Sequence, residues 1–184
     1  TNFNAAFANA ENLIITANDA PDLSQVTDLS SMFYNAKSLN QDISHWDVKS
    51  IENMQDLFYL APTFNQPLSS WIVENVTNMR QMFANAADFN QDLNSWDVSK
   101  VTDMRSIFND ASSFNGNISS WEPVIVTQMN SMFEGARDFN QDINGWDVSS
   151  VENMRSMFSG AFDFNQDLND WDVSNVQSMR DMFR

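Results

Sequence analysis

The chain has 184 residues and no cysteine, and several other residue types are scarce. The absence of cysteine excludes disulfide bonds and thiolate metal sites, while both reducing and oxidising compartments remain open. Glycine and proline each occur only four times, and histidine once. No apolar run approaches the roughly 20 residues of a membrane-spanning helix. The first residues, TNFNAAFANA, lack the charged and apolar regions of a signal peptide. We therefore expect no membrane insertion by this segment.

Basic residues are also few, with nine Lys and Arg against 25 Asp and Glu. The resulting formal net charge of −16 should repel phosphate backbones and anionic lipids, so nucleic acid is excluded as a partner. Apolar residues nevertheless make up 42% of the chain and aromatic residues 12%. This composition is sufficient for a core, so the negative charge is expected on a folded scaffold.

The aromatic residues reveal an internal repeat of 25 residues. A fixed period in this range predicts a stacked array in which each unit completes its core against its neighbours. We interpret residues 1–184 as a single array, with degenerate repeats in 1–38 and six regular repeats in 39–184, the last of them incomplete. All six tryptophans recur at this period and are assigned to the core: Trp46, Trp71, Trp96, Trp121, Trp146 and Trp171.

The first 38 residues depart from the regular pattern in two ways. Phe3 and Phe7 match Leu29 and Phe33 at an offset of 26 residues, one more than elsewhere. Pro21 stands where a regular repeat has tryptophan. Atypical copies of this kind are expected at the end of an array, where they act as caps.

Two patterns within each repeat predict one helix and one strand. Val76, Met79, Met82, Phe83 and Ala86 form an apolar stripe at helical spacing, which predicts a helix of about ten residues. The Trp–Asp–Val segment before it alternates between apolar and polar residues, as in a short strand. The expected fold is an α/β solenoid, a leucine-rich-repeat-like right-handed coil with one short parallel strand and one short helix per repeat. Paired strands lie closer together than packed helices, so the array should curve with its strands on the concave side.

The repeat can be written FNQDI-x-x-WDVS-x-V-x-x-M-x-x-MF-x-x-A. It resembles the repeat of about 25 residues in bacterial surface proteins grouped with the BspA-like leucine-rich-repeat surface proteins. The resemblance extends over residues 14–184 and implies an extracellular or cell-surface protein with an adhesive or binding role. Departures from the pattern occur at Pro21, Pro67, Ile72, Gly116, Asn117, Glu122 and Pro123.

One asparagine position is occupied in every regular repeat. An asparagine side chain can bond backbone groups of its own turn and of the neighbouring coil, so we interpret this column as a structural ladder. Its members are Asn40, Asn65, Asn90, Asn115, Asn140 and Asn165.

Two acidic columns are the main candidates for a functional surface. Carboxylates stacked at strand spacing repel one another, so something must stabilise them. We expect backbone N–H groups at turns to do so. Binding of Ca²⁺ and contact with a cationic partner are the alternatives, although no EF-hand spacing is present. The candidate residues are Asp42, Asp47, Asp92, Asp97, Asp142, Asp147, Asp167 and Asp172.

The sequence contains no set of unlike catalytic groups, and we expect neither enzymatic activity nor a cofactor. His45 is the single histidine, at a position where other repeats have Ser, Gly or Asp. Asp42 and Asp47 could form a glycosidase pair, but most regular repeats would then carry a site.

These features favour a non-enzymatic module that binds a protein or a glycan outside the cell through an acidic, curved surface. The alternative is a structural spacer or filament subunit whose ends stack head to tail. Met179, Met182 and Phe183 would leave an apolar face at one end of the array. A continuation of the array beyond these residues would account for the same face.

Overall fold

The computed structural model describes residues 3–17 and 19–184, which form a stack of repeats built from turns. These residues contain no helix, and their β-pairing consists of isolated parallel bridges with one residue per repeat. Each repeat thus pairs with the one before it and the one after it. The bridges join, in order, Asp28, Asn53, Asn78, Asp103, Gln128, Asn153 and Ser178.

The predicted α/β solenoid with one strand and one helix per repeat is wrong. The apolar stripe itself is buried, but consecutive turns produce its spacing. The N–H of Met82 donates to the carbonyl oxygen of Met79 at 3.2 Å, and that of Ala84 to Gln81 at 3.1 Å. In an α-helix these donors would bond four residues back. A chain of turns closed over three residues also places apolar side chains on one side, which the sequence pattern alone does not distinguish from a helix.

Every second backbone N–H group of the apolar stripe donates to the adjacent repeat. The N–H groups of Gln81 and Phe83 donate to the carbonyl oxygens of Arg105 and Ile107 in the next repeat, both at 2.9 Å. Half of the donors in the segment thus point along the stack and half close turns within the repeat. This division leaves no continuous helical ladder.

Two positions in each repeat have left-handed backbone. In the repeat that begins at residue 64 they are Gln81, with φ of 54°, and Asn85, with φ of 59°. Glycine fills the second position in later repeats, at Gly135 and Gly160. Leu60 occupies the same position with φ of 58°, a conformation that is unfavourable for a residue with a bulky side chain.

The predicted Trp–Asp–Val strand is also wrong, because residues 96–98 are an irregular segment between turns at 94–95 and 99–100. Trp96 and Val98 are buried and Asp97 is exposed, so the alternation has the expected directions. However, the N–H of Trp96 donates to Leu93 at 3.0 Å, and that of Val101 to Val98 at 2.9 Å, both within the repeat. Residues 96–98 therefore form no β-bridge with the adjacent repeats. Because the predicted curvature required strands on one side and helices on the other, its basis is removed as well.

Aromatic columns run through the core along the stack. The Phe83 ring lies 5.5 Å from that of Phe58 and 4.0 Å from that of Phe89, and Trp121 lies 6.0 Å from Trp146. Each repeat therefore buries its rings against the next one, as the period predicts. The tryptophans are all buried: Trp46, Trp71, Trp96, Trp121, Trp146 and Trp171.

The tryptophans also bond adjacent repeats. The Nε1–H of Trp96 donates to the carbonyl oxygen of Leu68 in the preceding repeat at 3.0 Å. The indole thus satisfies a buried backbone acceptor while its ring packs in the core. The same bond is made by Trp71, Trp121, Trp146 and Trp171.

Candidate interaction surface

The asparagine column forms an unbroken hydrogen-bonded ladder beside the acidic residues. The Oδ1 atom of Asn40 accepts the backbone N–H of Asn65 at 2.9 Å, and Asn65 accepts that of Asn90 at 3.0 Å. The same bond continues through Asn115, Asn140 and Asn165. Each side chain thus positions the turn of the next repeat.

Gly116 replaces the glutamine that accompanies this ladder in other repeats. Gln91 Nε2, for example, donates to Asn65 Oδ1 at 2.7 Å. A Cβ atom at position 116 would lie 2.1 Å from the carbonyl oxygen of Gln91, so glycine permits a close approach of two backbones. The asparagine ladder continues across this departure, because Asn115 still donates its N–H to Asn90 at 2.8 Å.

Most of the candidate aspartates close a turn with their own backbone. Asp97 Oδ1 accepts the N–H of Ser99, and Asp147 Oδ1 that of Ser149, both at 3.0 Å. This is the Asx turn, in which a side-chain oxygen bonds a backbone donor two residues on. The same bond is made by Asp42, Asp47, Asp142 and Asp172.

Two aspartates of the set differ from the others. Asp92 Oδ1 accepts the backbone N–H of Asn117 in the next repeat at 2.8 Å, beside the departure at Gly116. Asp167 is exposed near the C-terminal end of the stack. All eight candidate aspartates are exposed, so the acidic columns lie on the surface.

Hydrogen bonds keep several of these carboxylates ionised. The hydroxyl of Ser99, and next its backbone N–H, lower the pKa of Asp97 below the ordinary value of 3.8. A serine two residues on lowers the pKa of Asp42, Asp147 and Asp172 in the same way. Because these groups already titrate below neutral pH when unfolded, the folded chain carries a persistent row of negative charge.

The calcium interpretation has no assembled ligand set in residues 3–17 and 19–184. No group of three or more histidine or acidic residues there is placed to hold a metal ion. Ca²⁺ takes about six to eight oxygen ligands. The Oδ1 atoms of Asp97 and Asp147 already accept backbone N–H groups of their own turns.

The pair suggested for glycoside chemistry is also used in turns. Asp42 and Asp47 bond the N–H groups of Ser44 and Lys49, and both carboxylates are exposed. His45 lies between them in the sequence and is exposed as well. Both carboxylates are thus exposed acceptors of turn N–H groups on the surface of the stack.

A third polar column was not recognised in the sequence. At the bridge positions, Asn78 Oδ1 accepts the N–H of Arg80 at 3.0 Å, and Asp103 Oδ1 that of Arg105 at 3.1 Å. The Arg105 side chain also pairs with Asp103. Asn or Asp recurs at this position in most repeats, and these residues commonly accept the backbone N–H two residues on in an Asx turn. This recurrence in the sequence could have identified the column.

The part of the chain that the structure describes has no helix long and apolar enough to cross a membrane. Its fold defines a repeat protein of stacked turns. The sequence matches the family described as "Mycoplasma protein of unknown function, DUF285" twice, over residues 1–106 and 91–184. The first match alone covers more than half of the chain, so the chain belongs to this family. No curated protein and no solved structure matches the sequence.

Proposed function

We propose that this chain is a non-enzymatic interaction module that binds a basic segment of a partner protein along its acidic columns. The proposal places the module outside the cell or at its surface, where the resemblance of its repeat to the BspA-like surface proteins implies an adhesive or binding role. Its scaffold supplies a rigid row of charged groups at regular intervals.

The observation that carries the proposal is the repeated, turn-held aspartate. Asp97, Asp147 and Asp172 stand at the same position of their repeats, are exposed, and bond the backbone N–H two residues on. Each carboxylate is thus held in place by the backbone of its own turn. A row of anions held in this way attracts a chain of cations and speeds its association.

A basic protein segment fits this surface better than a neutral or acidic glycan does. The chain has a formal net charge of −16, and anionic sugars would be repelled by it. Lysine and arginine side chains, in contrast, form charge-assisted hydrogen bonds with carboxylates. Ile72 interrupts the acidic row with an exposed apolar side chain, which offers a contact for an apolar residue of the same segment.

Two triple variants with the same net charge test whether the peptide binds at the acidic columns. In the first, Asp97→Asn, Asp147→Asn and Asp172→Asn keep the turn acceptor but remove the charge. In the second, Asp88→Asn, Asp138→Asn and Asp163→Asn remove the same charge from exposed positions at the end of the repeat. Titration calorimetry with a lysine- and arginine-rich peptide, at low and physiological salt, measures both against the unmodified chain.

We expect binding to weaken by about tenfold or more in the first variant and to change little in the second, with a strong dependence on salt in the unmodified chain. Equal losses in the two variants would mean that only net charge acts, and would overturn the proposal. If the chain bound glycans on an array and did not bind the peptide, the ligand of this surface would be a glycan and not a protein.

A second candidate function is a filament or spacer subunit. The Phe183 ring stacks on Phe158 at 5.4 Å, and 63% of the Phe183 surface is exposed at the end of the described stack. A second copy could continue the column there. Light scattering at increasing concentration tests this function.

A further inference from the structure

An apolar pocket lies at the position where the tryptophan column is interrupted. Pro21 replaces tryptophan in its repeat, and a cavity of about 260 Å³ opens beside it. Phe3, Phe7, Met32 and Trp46 line the cavity together with Pro21. The pocket therefore has aromatic and thioether walls, which are favourable contacts for a flat ring.

The regular repeats show what normally fills this place. Trp71 lies 6.2 Å from Phe58, and Trp96 lies 6.3 Å from Phe83, the phenylalanine of the preceding repeat in each case. In the N-terminal repeats, position 21 corresponds to the tryptophan, and Phe7 corresponds to Phe33 at the offset of 26 residues. Phe7 is therefore the phenylalanine that a tryptophan at position 21 would contact. Phe7 stacks on Phe33 at 5.8 Å, so it belongs to the same column.

The next tryptophan of the column closes the other side of the pocket. In the middle of the stack, tryptophans of adjacent repeats lie ring to ring, Trp96 and Trp121 at 6.4 Å and Trp121 and Trp146 at 6.0 Å. Trp46 has no such partner from position 21, where proline stands, and it lines the cavity instead. The cavity is thus the space of one missing indole between Phe7 and Trp46.

A cavity of this kind has a defined class of ligand. An enclosed apolar cavity of about 150 Å³ in another protein holds benzene, and the pocket here is larger and open to solvent on one side. The larger volume here suits a bicyclic ring. Asp19 is the one ionisable residue among the described residues that line the pocket, and Asp42 lies in the adjoining cleft with Ile15 and Ala17. Carboxylates at this entrance favour a ligand that carries a positive charge.

We infer that this pocket binds a small aromatic amine, with an indole-sized ring between Phe7 and Trp46 and its ammonium group toward Asp19. Asp19 lies outside the acidic columns and is the one carboxylate that lines the pocket itself, so the inference does not depend on the proposed protein-binding function, although Asp42 in the adjoining cleft belongs to those columns. Ring stacking supplies the affinity, and the carboxylate selects an amine over an acid with the same ring.

Titration calorimetry and thermal denaturation with tryptamine, indole and indole-3-propionate test the inference. Pro21→Trp fills the pocket with the side chain found in the regular repeats. Pro67→Trp makes the same change at an exposed position and serves as the matched control. Asp19→Asn removes the charge at the entrance, and Ala20→Leu narrows the pocket should Pro21→Trp fail to fold.

We expect saturable binding of tryptamine, and a rise in melting temperature with it, in the unmodified chain and in Pro67→Trp. Pro21→Trp or Ala20→Leu should weaken binding by about tenfold or more, because the ring has no space left. Asp19→Asn should reduce the preference for tryptamine over indole-3-propionate, while indole itself still binds with unchanged affinity.

Three results would overturn the inference. The first is the absence of saturable binding by any of the three compounds. The second is equal affinity in the unmodified chain and in a filled variant that folds. The third is equal affinity for the amine and the acid in the unmodified chain. Tighter binding of N-acetyltryptophanamide than of tryptamine would assign the pocket to a tryptophan side chain of a partner instead of a free amine.

Discussion

At the scale of single residues, backbone conformation decides which side chains suit the second left-handed position of each repeat. Asn35, Asn85 and Asp110 occupy it with φ between 54° and 59°. Asparagine and aspartate tolerate this conformation because their short polar side chains bond locally. Leu60 has the same φ range without that compensation. Position 60 is therefore the place where one substitution should improve stability.

Leu60→Asn should stabilise the chain by about 0.5 to 1 kcal/mol, because it relieves the left-handed backbone. Leu60 is only half-buried, so the lost apolar contact offsets part of the gain. Urea denaturation measures the difference in the free energy of unfolding.

The reverse change supplies the control for this prediction. Asn85→Leu places leucine at the equivalent position of the next repeat and should lower the free energy of unfolding by about 1 kcal/mol. If Leu60→Asn is destabilising and Asn85→Leu is neutral, side-chain packing outweighs backbone conformation at this position.

The residue scale is also where the sequence predicted most. The period located the tryptophans, the asparagine ladder and the aspartates, and their environments follow from side-chain chemistry. Asp97 could be expected to bond a turn N–H because a short carboxylate at a turn does so in any context. The serine two residues on is visible in the sequence too, and it supplies the bond.

At the scale of the element, the stripe of Met79, Met82 and Phe83 could not reveal its own secondary structure. Steps of three and four residues satisfy a helix and a chain of three-residue turns alike. The outcome depends on where the N–H of Gln81 bonds, and its acceptor is the carbonyl oxygen of Arg105, 24 residues away. Burial was thus predictable from local pattern, whereas the element type depends on contacts between repeats.

The tryptophan makes two separable contributions to each repeat. Trp96→Ala should lower the free energy of unfolding by about 3 to 5 kcal/mol, since it empties a buried aromatic site. Trp96→Phe keeps a ring but leaves the Leu68 carbonyl oxygen without the Nε1–H donor, and should cost about 1 to 3 kcal/mol. Urea denaturation of both variants separates packing from hydrogen bonding.

Ile72→Ala is the control for the tryptophan variants, because Ile72 is exposed in the preceding repeat. Its effect should stay within about 0.5 kcal/mol. A loss below about 1 kcal/mol for Trp96→Ala would contradict the assignment of the tryptophans to the core.

At the scale of the whole molecule, the aligned carboxylates allow a test of whether calcium changes the stability of the chain. Added Ca²⁺ at millimolar concentration should change the melting temperature little, and calorimetry should show no stoichiometric binding. The reason is that aspartates such as Asp97 and Asp147 are bonded in their own turns, while Ca²⁺ requires about six to eight converging oxygens. Mg²⁺ at the same concentration is the control for ionic strength. A Ca²⁺-specific rise that is lost in Asp97→Asn with Asp147→Asn would contradict this prediction.

The two ends of the described stack expose rings of one phenylalanine column. Phe183 stacks on Phe158 at 5.4 Å, Phe7 stacks on Phe33 at 5.8 Å, and both Phe7 and Phe183 are exposed. These separations match those of internal pairs of the column. If the filament function holds, Phe183 of one copy stacks on Phe7 of another in a heterologous contact that need not close.

If the filament function holds, light scattering of this segment should rise with concentration, and Phe183→Glu should abolish the rise by placing a charge between the stacked rings. Ile72→Glu adds the same charge at an exposed position on the side of the stack, and should leave assembly intact. Monomeric scattering from all three proteins at every concentration would exclude stacking of these ends. Loss of assembly in both variants would attribute association to net charge, because the more acidic copies then repel one another wherever the glutamate lies.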